Sequence, residues 1–332
     1  MPFDTSRAVW FVGPRQIELR EAPVHRPEPY EITVRATRSL ISAGTEMLVY
    51  RGDTNPGDRM PPNSEGQFPF PTKYGYQTVG EVVAAGEDSG FHVGEHVFTR
   101  HPHQDLFTIE ARPEYVVRVP AGVDDSTATF LNLTRVALTG VLDVPVKVGE
   151  TAVVFGQGIV GMMCARIAGL NAAATVVVDR FEKRRALALH YGARAAVEPQ
   201  DVKDVVFELS HGRGADVVYE ASGAPPALQS AIEIAADQGE IVAISLYGNH
   251  EVPLRLAPEF HFRRLRITSS QATDQARWNW VRRTEAAFGL LERLSVADMI
   301  SSHVGFAAAA EAYELVDRDP ANVLGAVLDY PA

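Results

Sequence analysis

The sequence predicts an α/β protein in two parts, an all-β first domain followed by a doubly wound parallel sheet. Three observations carry this. Residues from Arg7 to Val119 fall into short β-rich runs cut by Gly and Pro, as strands with tight connections require. From Thr151 onward strand-like and helix-like segments alternate, the order that builds a parallel sheet covered by helices on both faces. The first turn of that alternation reads Gly156-Gln157-Gly158-Ile159-Val160-Gly161, a G-x-G-x-x-G between a strand and a helix.

Taken in order, AVWFV, QIELRE, EITVRATRSL, TVGEVVAAG, EHVFT and YVVRVP are the strands of the first part, with no helix of three turns among them. Between Tyr50 and Tyr74, density in Pro, Gly and polar residues predicts one long loop. After Pro120 the character changes, and Asp125 to Val144 reads as helices. AAVE, VKDVVFELSHG, DVVYEAS, PALQSAIEIAADQ, EIVAISL and LRITSSQ continue the alternation, and Asp274 to Leu294 follows as one long amphipathic helix. The tail reads as a helix and then a strand that returns to the first domain. The expected division is residues 1–124 with 295–332 as one domain and 125–294 as the other.

The glycine turn has a chemical reading. Thr151 to Phe155 is an apolar run of the length of a strand buried on both faces. Gly156 permits the tight turn, Gly158 lets a pyrophosphate approach the backbone, and Gly161 lets helix and strand pack closely. The free N–H groups at Ile159 and Val160, with the positive end of the helix dipole, then face a diphosphate. The next strand, Ala174 to Val178, ends on Asp179, whose carboxylate would accept the adenosine ribose hydroxyls and repel a 2′-phosphate. The expected cofactor is therefore NAD. Arg180, Arg184 and Arg185 lie just behind and work against that preference.

At 332 residues the chain is long for one core, which agrees with two domains. Hydrophobic content of 46% and charged content of 22% are those of a globular protein. A formal charge of −11 argues against a nucleic-acid or anionic-membrane partner, both of which need clustered Lys and Arg. No apolar run reaches membrane-spanning length and MPFDTSRAVW lacks signal-peptide character, so a cytoplasmic protein acting on a small-molecule substrate is expected. The one cysteine, Cys164, excludes an internal disulfide and reads as a small buried hydrophobe.

An N-terminal β domain, helices leading into VVFGQGIVG, a second strand ending in Asp, the segment DVVYEASG and a terminal helix-strand return together resemble the medium-chain dehydrogenase/reductase superfamily over essentially the whole chain. The resemblance implies a GroES-like substrate domain, a Rossmann dinucleotide domain and a homodimer or homotetramer. It also implies that Ser222 and Gly223, Ser245 and Leu246 lie where loops reach the nicotinamide. Those residues and Ser270 stand at carboxyl ends of predicted strands, where open α/β sheets bind ligands.

The zinc-dependent alcohol dehydrogenases of that superfamily carry Cys-Gly-Thr-Asp, then Gly-His-Glu, then a third ligand before the Rossmann domain. Here the first is Ala43-Gly44-Thr45-Glu46, the second Gly75-Tyr76-Gln77, and the third falls within Leu131-Asn132-Leu133. A short segment around HPHQDLF replaces the lobe that holds a structural zinc with four cysteines, so no metal is expected. His101 and His103, one residue apart, read as surface or substrate-pocket groups. The Ser-Ala-Gly-Thr-Glu segment with Gly-Tyr-Gln looks most like the metal-free branch that includes bacteriochlorophyllide dehydrogenase-like proteins.

Three functions stay open at this point: a metal-free NAD-dependent oxidoreductase of secondary alcohols and ketones, an NADPH-dependent enone or quinone reductase, and a dinucleotide-binding protein without chemistry. The first is favoured by Asp179. Its expected catalytic residues are Tyr76, standing where the resemblance places a zinc-binding histidine, and Thr45, matching the family's proton-relaying hydroxyl. Glu46 is expected to orient them, and His101 is the reserve candidate.

Overall fold

A computed structural model describes residues 6–54, 63–272 and 277–331 of the chain. It has two compact units, Met1–Asn132 with Asp274–Ala332, and Leu133–Thr273.

In the first unit, strands Glu31–Ile41, Thr78–Ala85, His96–Thr99 and Val116–Arg118 run antiparallel in that order, with Leu106–Glu110 pairing along Glu31–Ile41. The last strand of the chain, Gly325–Asp329, closes onto the same sheet through Ala326↔Ile41 to Asp329↔Arg38 and carries Ile300–Gly305 on its other side. A second antiparallel sheet places Ser6–Gly13 between Gln16–Ala22 and Thr72–Lys73. Between the sheets, Val9, Phe11, Ile32, Val34, Tyr50, Tyr313 and Leu328 form a continuous apolar core. This is the GroES-like all-β domain that the sequence predicted.

Three sequence expectations change here. The expected Tyr50–Tyr74 loop lies partly outside the described residues, and its described part holds the strand pair Glu65–Gly66 and Thr72–Lys73, which extends the sheet at Trp10 and Phe11. Two-residue strands show no alternation, so period-2 reading misses them. A two-turn helix, Thr45–Arg51, interrupts the all-β region and ends at Gly52, which adopts a left-handed φ of 82°. The expected Asp274–Leu294 helix begins outside the described residues, and within them it starts at Trp280, because the Asn279 side chain accepts the Arg282 N–H and caps it there. That helix, Trp280–Arg293, lies in the first unit, where the Arg100 guanidinium sits 5.1 Å from the Trp280 ring centroid. The sequence boundaries had stood at residues 124 and 294.

The second unit is a six-stranded parallel sheet among the described residues. Its order is Ala195–Val197, Ala174–Val178, Thr151–Phe155, Ala215–Glu220, Ala235–Ala243 and Arg266–Ser269. This is the Rossmann order, with the two central strands on either side of the point where the winding reverses. Thr151–Phe155 is buried at every position, as its unbroken apolar run required. Helix Ile159–Ala168 begins directly behind the glycine turn and buries Cys164, whose thiol is pushed up by burial and is not a nucleophile. Among the described residues no helix is long and apolar enough to cross a membrane.

The turn is packed as the glycine pattern demands. Gly156 has φ +83°, and a Cβ there would lie 2.6 Å from Ser222 Cα. A Cβ on Gly161 would lie 1.8 Å from the Gly156 carbonyl oxygen, whereas one on Gly158 would meet nothing within 4 Å. Gly161→Ala is therefore expected to force helix and strand apart, costing about 1–3 kcal/mol, read as a lowered thermal midpoint by calorimetry. A variant that melts with the parent would show that the turn has room the structure does not have.

Candidate active site

In the first unit the site grows from the start of helix Thr45–Arg51 and the end of the Tyr74–Gln77 segment. Gly75, at φ +131°, passes so close to His103 that a Cβ would lie 2.9 Å from its Cδ2. This holds the backbone that presents Tyr76. The half-buried Tyr76 hydroxyl donates to Ser42 Oγ at 2.7 Å and lies 2.5 Å from Thr45 Oγ1, so three hydroxyls form a closed triangle. Burial and the nearby Glu46 charge push the Tyr76 phenol up to about 12; the Ser42 and Thr45 hydrogen bonds and the Arg100 charge oppose the rise.

Beneath the triangle lies a buried carboxylate. Glu46 is fully buried; its Oε1 accepts the Ser42 N–H at 3.1 Å, and its Oε2 accepts from the Tyr313 hydroxyl at 2.5 Å and from His103 Nε2 at 2.9 Å. His103, also fully buried, has Nδ1 2.7 Å from Ser39 Oγ, which in turn lies 2.9 Å from the Tyr330 hydroxyl. Burial, and then the Glu46 charge, raises the Tyr313 phenol well above its ordinary value, so it remains a donor. Glu46 thus reaches Tyr76 through Ser42.

Neither histidine is a surface group, which removes one of the two alternatives that the sequence left open. His101 is 5% exposed, stacks on Phe107 with centroids 3.7 Å apart, and donates Nδ1–H to the Pro102 carbonyl. Burial first, then the Lys73 charge, pulls its pKa well below the usual imidazole value, so it stays neutral. It shares no hydrogen bond with Tyr76, Thr45 or Glu46.

The residues do not fit the zinc of the alcohol dehydrogenases. Ala43 is an exposed methyl, Leu131 a fully buried aliphatic, and the Tyr76 hydroxyl is bound into the triangle. Both nitrogens of His103 are taken. Among the described residues no group of three His, Cys, Asp or Glu side chains is placed to hold a metal ion.

In the second unit, the residues expected to hold a dinucleotide come together around two buried carboxylates. Asp179, 7% exposed, accepts the Gln157 N–H at 2.7 Å and the Phe181 N–H at 2.8 Å, which ties the glycine turn to the end of the second strand. Each oxygen keeps lone-pair capacity for a ribose hydroxyl. Of the basic residues behind it, Arg185 bonds the Asp179 carbonyl and Glu198, while Arg180 is exposed beside the Phe181 ring. Glu220, fully buried at the end of its strand, accepts from Ser222 N and Oγ, Gly223 N and the Tyr247 hydroxyl. Gly223, at φ +67°, passes Ser245 and the Leu246 carbonyl, and Ser270 Oγ donates to Asp143 at 2.7 Å. The open space at Gly158 and the uncapped first turn of helix Ile159–Ala168 leave N–H donors for a diphosphate, so these residues fit a nicotinamide dinucleotide.

Sequence reasoning placed Tyr76, Thr45 and Glu46 together without Ser42, which stood in the same Ser-Ala-Gly-Thr-Glu segment. It missed Tyr313, which no local pattern could reveal at 267 residues from Glu46. Glu220 did leave a signal: an acidic residue closing an apolar strand two places before a Ser-Gly turn.

Comparison with known proteins agrees with both units. The zinc-binding dehydrogenase family profile matches residues 158–285. A D-guloside 3-dehydrogenase of Shigella flexneri is 32% identical over 259 residues, covering 74% of each chain. A 2-desacetyl-2-hydroxyethyl bacteriochlorophyllide A dehydrogenase of Cereibacter sphaeroides is 30% identical over 98% of each. The crystal structure of an Escherichia coli oxidoreductase/dehydrogenase of unknown specificity superposes with a TM-score of 0.84 at 17% identity, over 99% of this chain and 100% of that one. With that similarity added to the glycine turn and the paired folds, the chain belongs to the medium-chain dehydrogenase/reductase superfamily and is an oxidoreductase.

Proposed function

We propose that this protein interconverts a secondary alcohol and a ketone with NAD(H) and without a metal, Tyr76 acting as the proton donor and acceptor. The observation that carries the reading is the closed Ser42–Thr45–Tyr76 hydroxyl triangle, built on the segment that the family resemblance aligns with a zinc-binding histidine. The relatives named above, a guloside dehydrogenase and a bacteriochlorophyllide dehydrogenase, support an alcohol as the reduced substrate.

Oxidation must remove a hydride from the carbinol carbon and a proton from its hydroxyl. A bound nicotinamide would supply the hydride chemistry in both directions. Gly158, Ile159 and Val160 would hold the cofactor's diphosphate on free N–H groups, and Asp179 would take the ribose hydroxyls. Ser222, Gly223, Ser245, Leu246 and Ser270 line the strand ends beside it. In ketone reduction Tyr76 gives its proton to the developing alkoxide and is reprotonated through Thr45. Ser42, fixed by Glu46 through its N–H, keeps the phenol in one orientation.

Three expectations test this. Tyr76→Phe keeps the ring and removes the hydroxyl; kcat is expected to fall by about 10²- to 10⁴-fold with NAD affinity unchanged. A loss below about tenfold would take Tyr76 out of the chemistry. With the phenol near 12, Tyr76 is protonated throughout neutrality. Reduction should therefore be flat there, while oxidation climbs with pH as the phenolate fraction grows. A plateau in oxidation at neutral pH that survives Tyr76→Phe would point to another base. Third, chelator-treated protein shown by elemental analysis to be free of stoichiometric zinc should retain its turnover and a higher kcat/KM for NAD than for NADP. Loss of activity restored only by zinc, or a clear NADP preference, would overturn the corresponding assignment.

A further inference from the structure

Beside the hydroxyl triangle stands a cation that the proposed chemistry does not use. Arg100 directly follows strand His96–Thr99, whose last residue pairs with Thr78, two residues beyond Tyr76. Its backbone is pinned on both sides, the N–H donating to the Tyr115 carbonyl at 2.8 Å and the carbonyl accepting from Asn63 Nδ2 at 3.0 Å. The half-buried guanidinium lies 5.1 Å from the Trp280 ring centroid, an aromatic face that holds a cation flat without neutralising it.

What this arginine lacks is an anion. Its Nε is buried without a hydrogen-bond partner, and among the described residues the guanidinium forms no ion pair. The acidic side chain whose charge acts on it, Glu114, makes no salt bridge with it. Burial lowers the Arg100 pKa, the mark of a desolvated charge, and its charge in turn opposes the rise at the Tyr76 phenol. Other cations of the unit are paired internally: Lys73 is bound to Glu65 and Gln104, and Arg51 and Arg15 share Asp317. A partly buried guanidinium held in place with its donor fork unfilled is arranged for an oxyanion, because leaving it unpaired costs free energy that a bound carboxylate or phosphate returns.

We propose that Arg100, carried on the Trp280 ring, receives a carboxylate or phosphate of the substrate, so that the alcohol handled at Tyr76 belongs to a hydroxy acid or a sugar phosphate. This rests on the reading of Tyr76 given above and extends it to substrate class. The arginine sets which molecule is held; the hydroxyl triangle moves the proton.

The test uses the full-length protein with NAD⁺ and matched substrate pairs, D-galactonate against D-galactitol and D-glucitol 6-phosphate against D-glucitol. The parent protein should favour at least one anionic member in kcat/KM, and Arg100→Gln should shrink the anionic-to-neutral ratio by about 10- to 100-fold. The favoured pair distinguishes carboxylate from phosphate. Arg100→Lys, which keeps the charge and loses the fork, should retain part of the preference, and thermal melting of both variants reports their folding. Calorimetric titration of the NADH-bound protein with the same four compounds gives a readout that needs no turnover: anion binding should weaken in Arg100→Gln by the same factor. Equal ratios in parent and variant, or anion affinity unchanged by the substitution, would overturn the proposal. Absence of hydride transfer across the panel with Arg100-dependent anion binding intact would instead count against the alcohol–ketone reading and leave only the anion site at Arg100 standing.

Discussion

The first unit is organised by one buried carboxylate. Glu46 is shut away from water, and a charge in that position is tolerated only when its lone pairs are filled. They are filled from three directions: the Ser42 N–H four residues back, His103 from 57 residues away and Tyr313 from 267 residues away. One side chain thereby joins the start of helix Thr45–Arg51, the HPHQ segment and helix Ala309–Arg318. Removing any one partner would leave a buried acceptor short, at a cost of about 1–3 kcal/mol or more for a charged group. The hydroxyl triangle sits directly on this arrangement, since Ser42 belongs to both.

The second unit uses the same device twice. Asp179 accepts backbone N–H groups from Gln157 and Phe181, and Glu220 accepts those of Ser222 and Gly223. In each case a carboxylate at the carboxyl end of a parallel strand fixes the loop that follows. Loops at that edge of an open sheet are where ligands are met, and they have no ladder partners of their own to hold them. Charge-assisted bonds to backbone N–H groups are the stronger kind, so short polar turns become rigid without being buried in apolar packing.

The contrast with the zinc-bearing members is one of donor chemistry. At the three positions that the family resemblance aligns with zinc ligands, this chain offers a methyl, a phenol and an aliphatic side chain, on Ala43, Tyr76 and Leu131. The His103 imidazole points inward and serves Glu46. Its two nitrogens are spent on Ser39 and the carboxylate, which explains why a histidine conspicuous in the sequence is unavailable at the surface.

The sequence by itself determined the fold class, the order of its elements and the glycine turn. These rest on local signals: an unbroken apolar run at Thr151–Phe155, alternation of strand and helix, and Gly residues at 156 and 161 where any Cβ collides with backbone. It also put Tyr76, Thr45 and Glu46 in one neighbourhood, because the two segments carrying them match adjacent motifs. It missed the short strands at Glu65–Gly66 and Thr72–Lys73, and it started helix Trp280–Arg293 too early, since two residues show no period and a cap is set by one side chain. Only the tertiary structure decided that Tyr313 and His103 complete the carboxylate site, that Ser42 closes the triangle and that Arg100 rests on Trp280 with no ion-pair partner among the described residues. Those contacts join residues up to 267 positions apart, and nothing in a local pattern of hydrophobicity or turn chemistry encodes which distant polar groups will share one dry space.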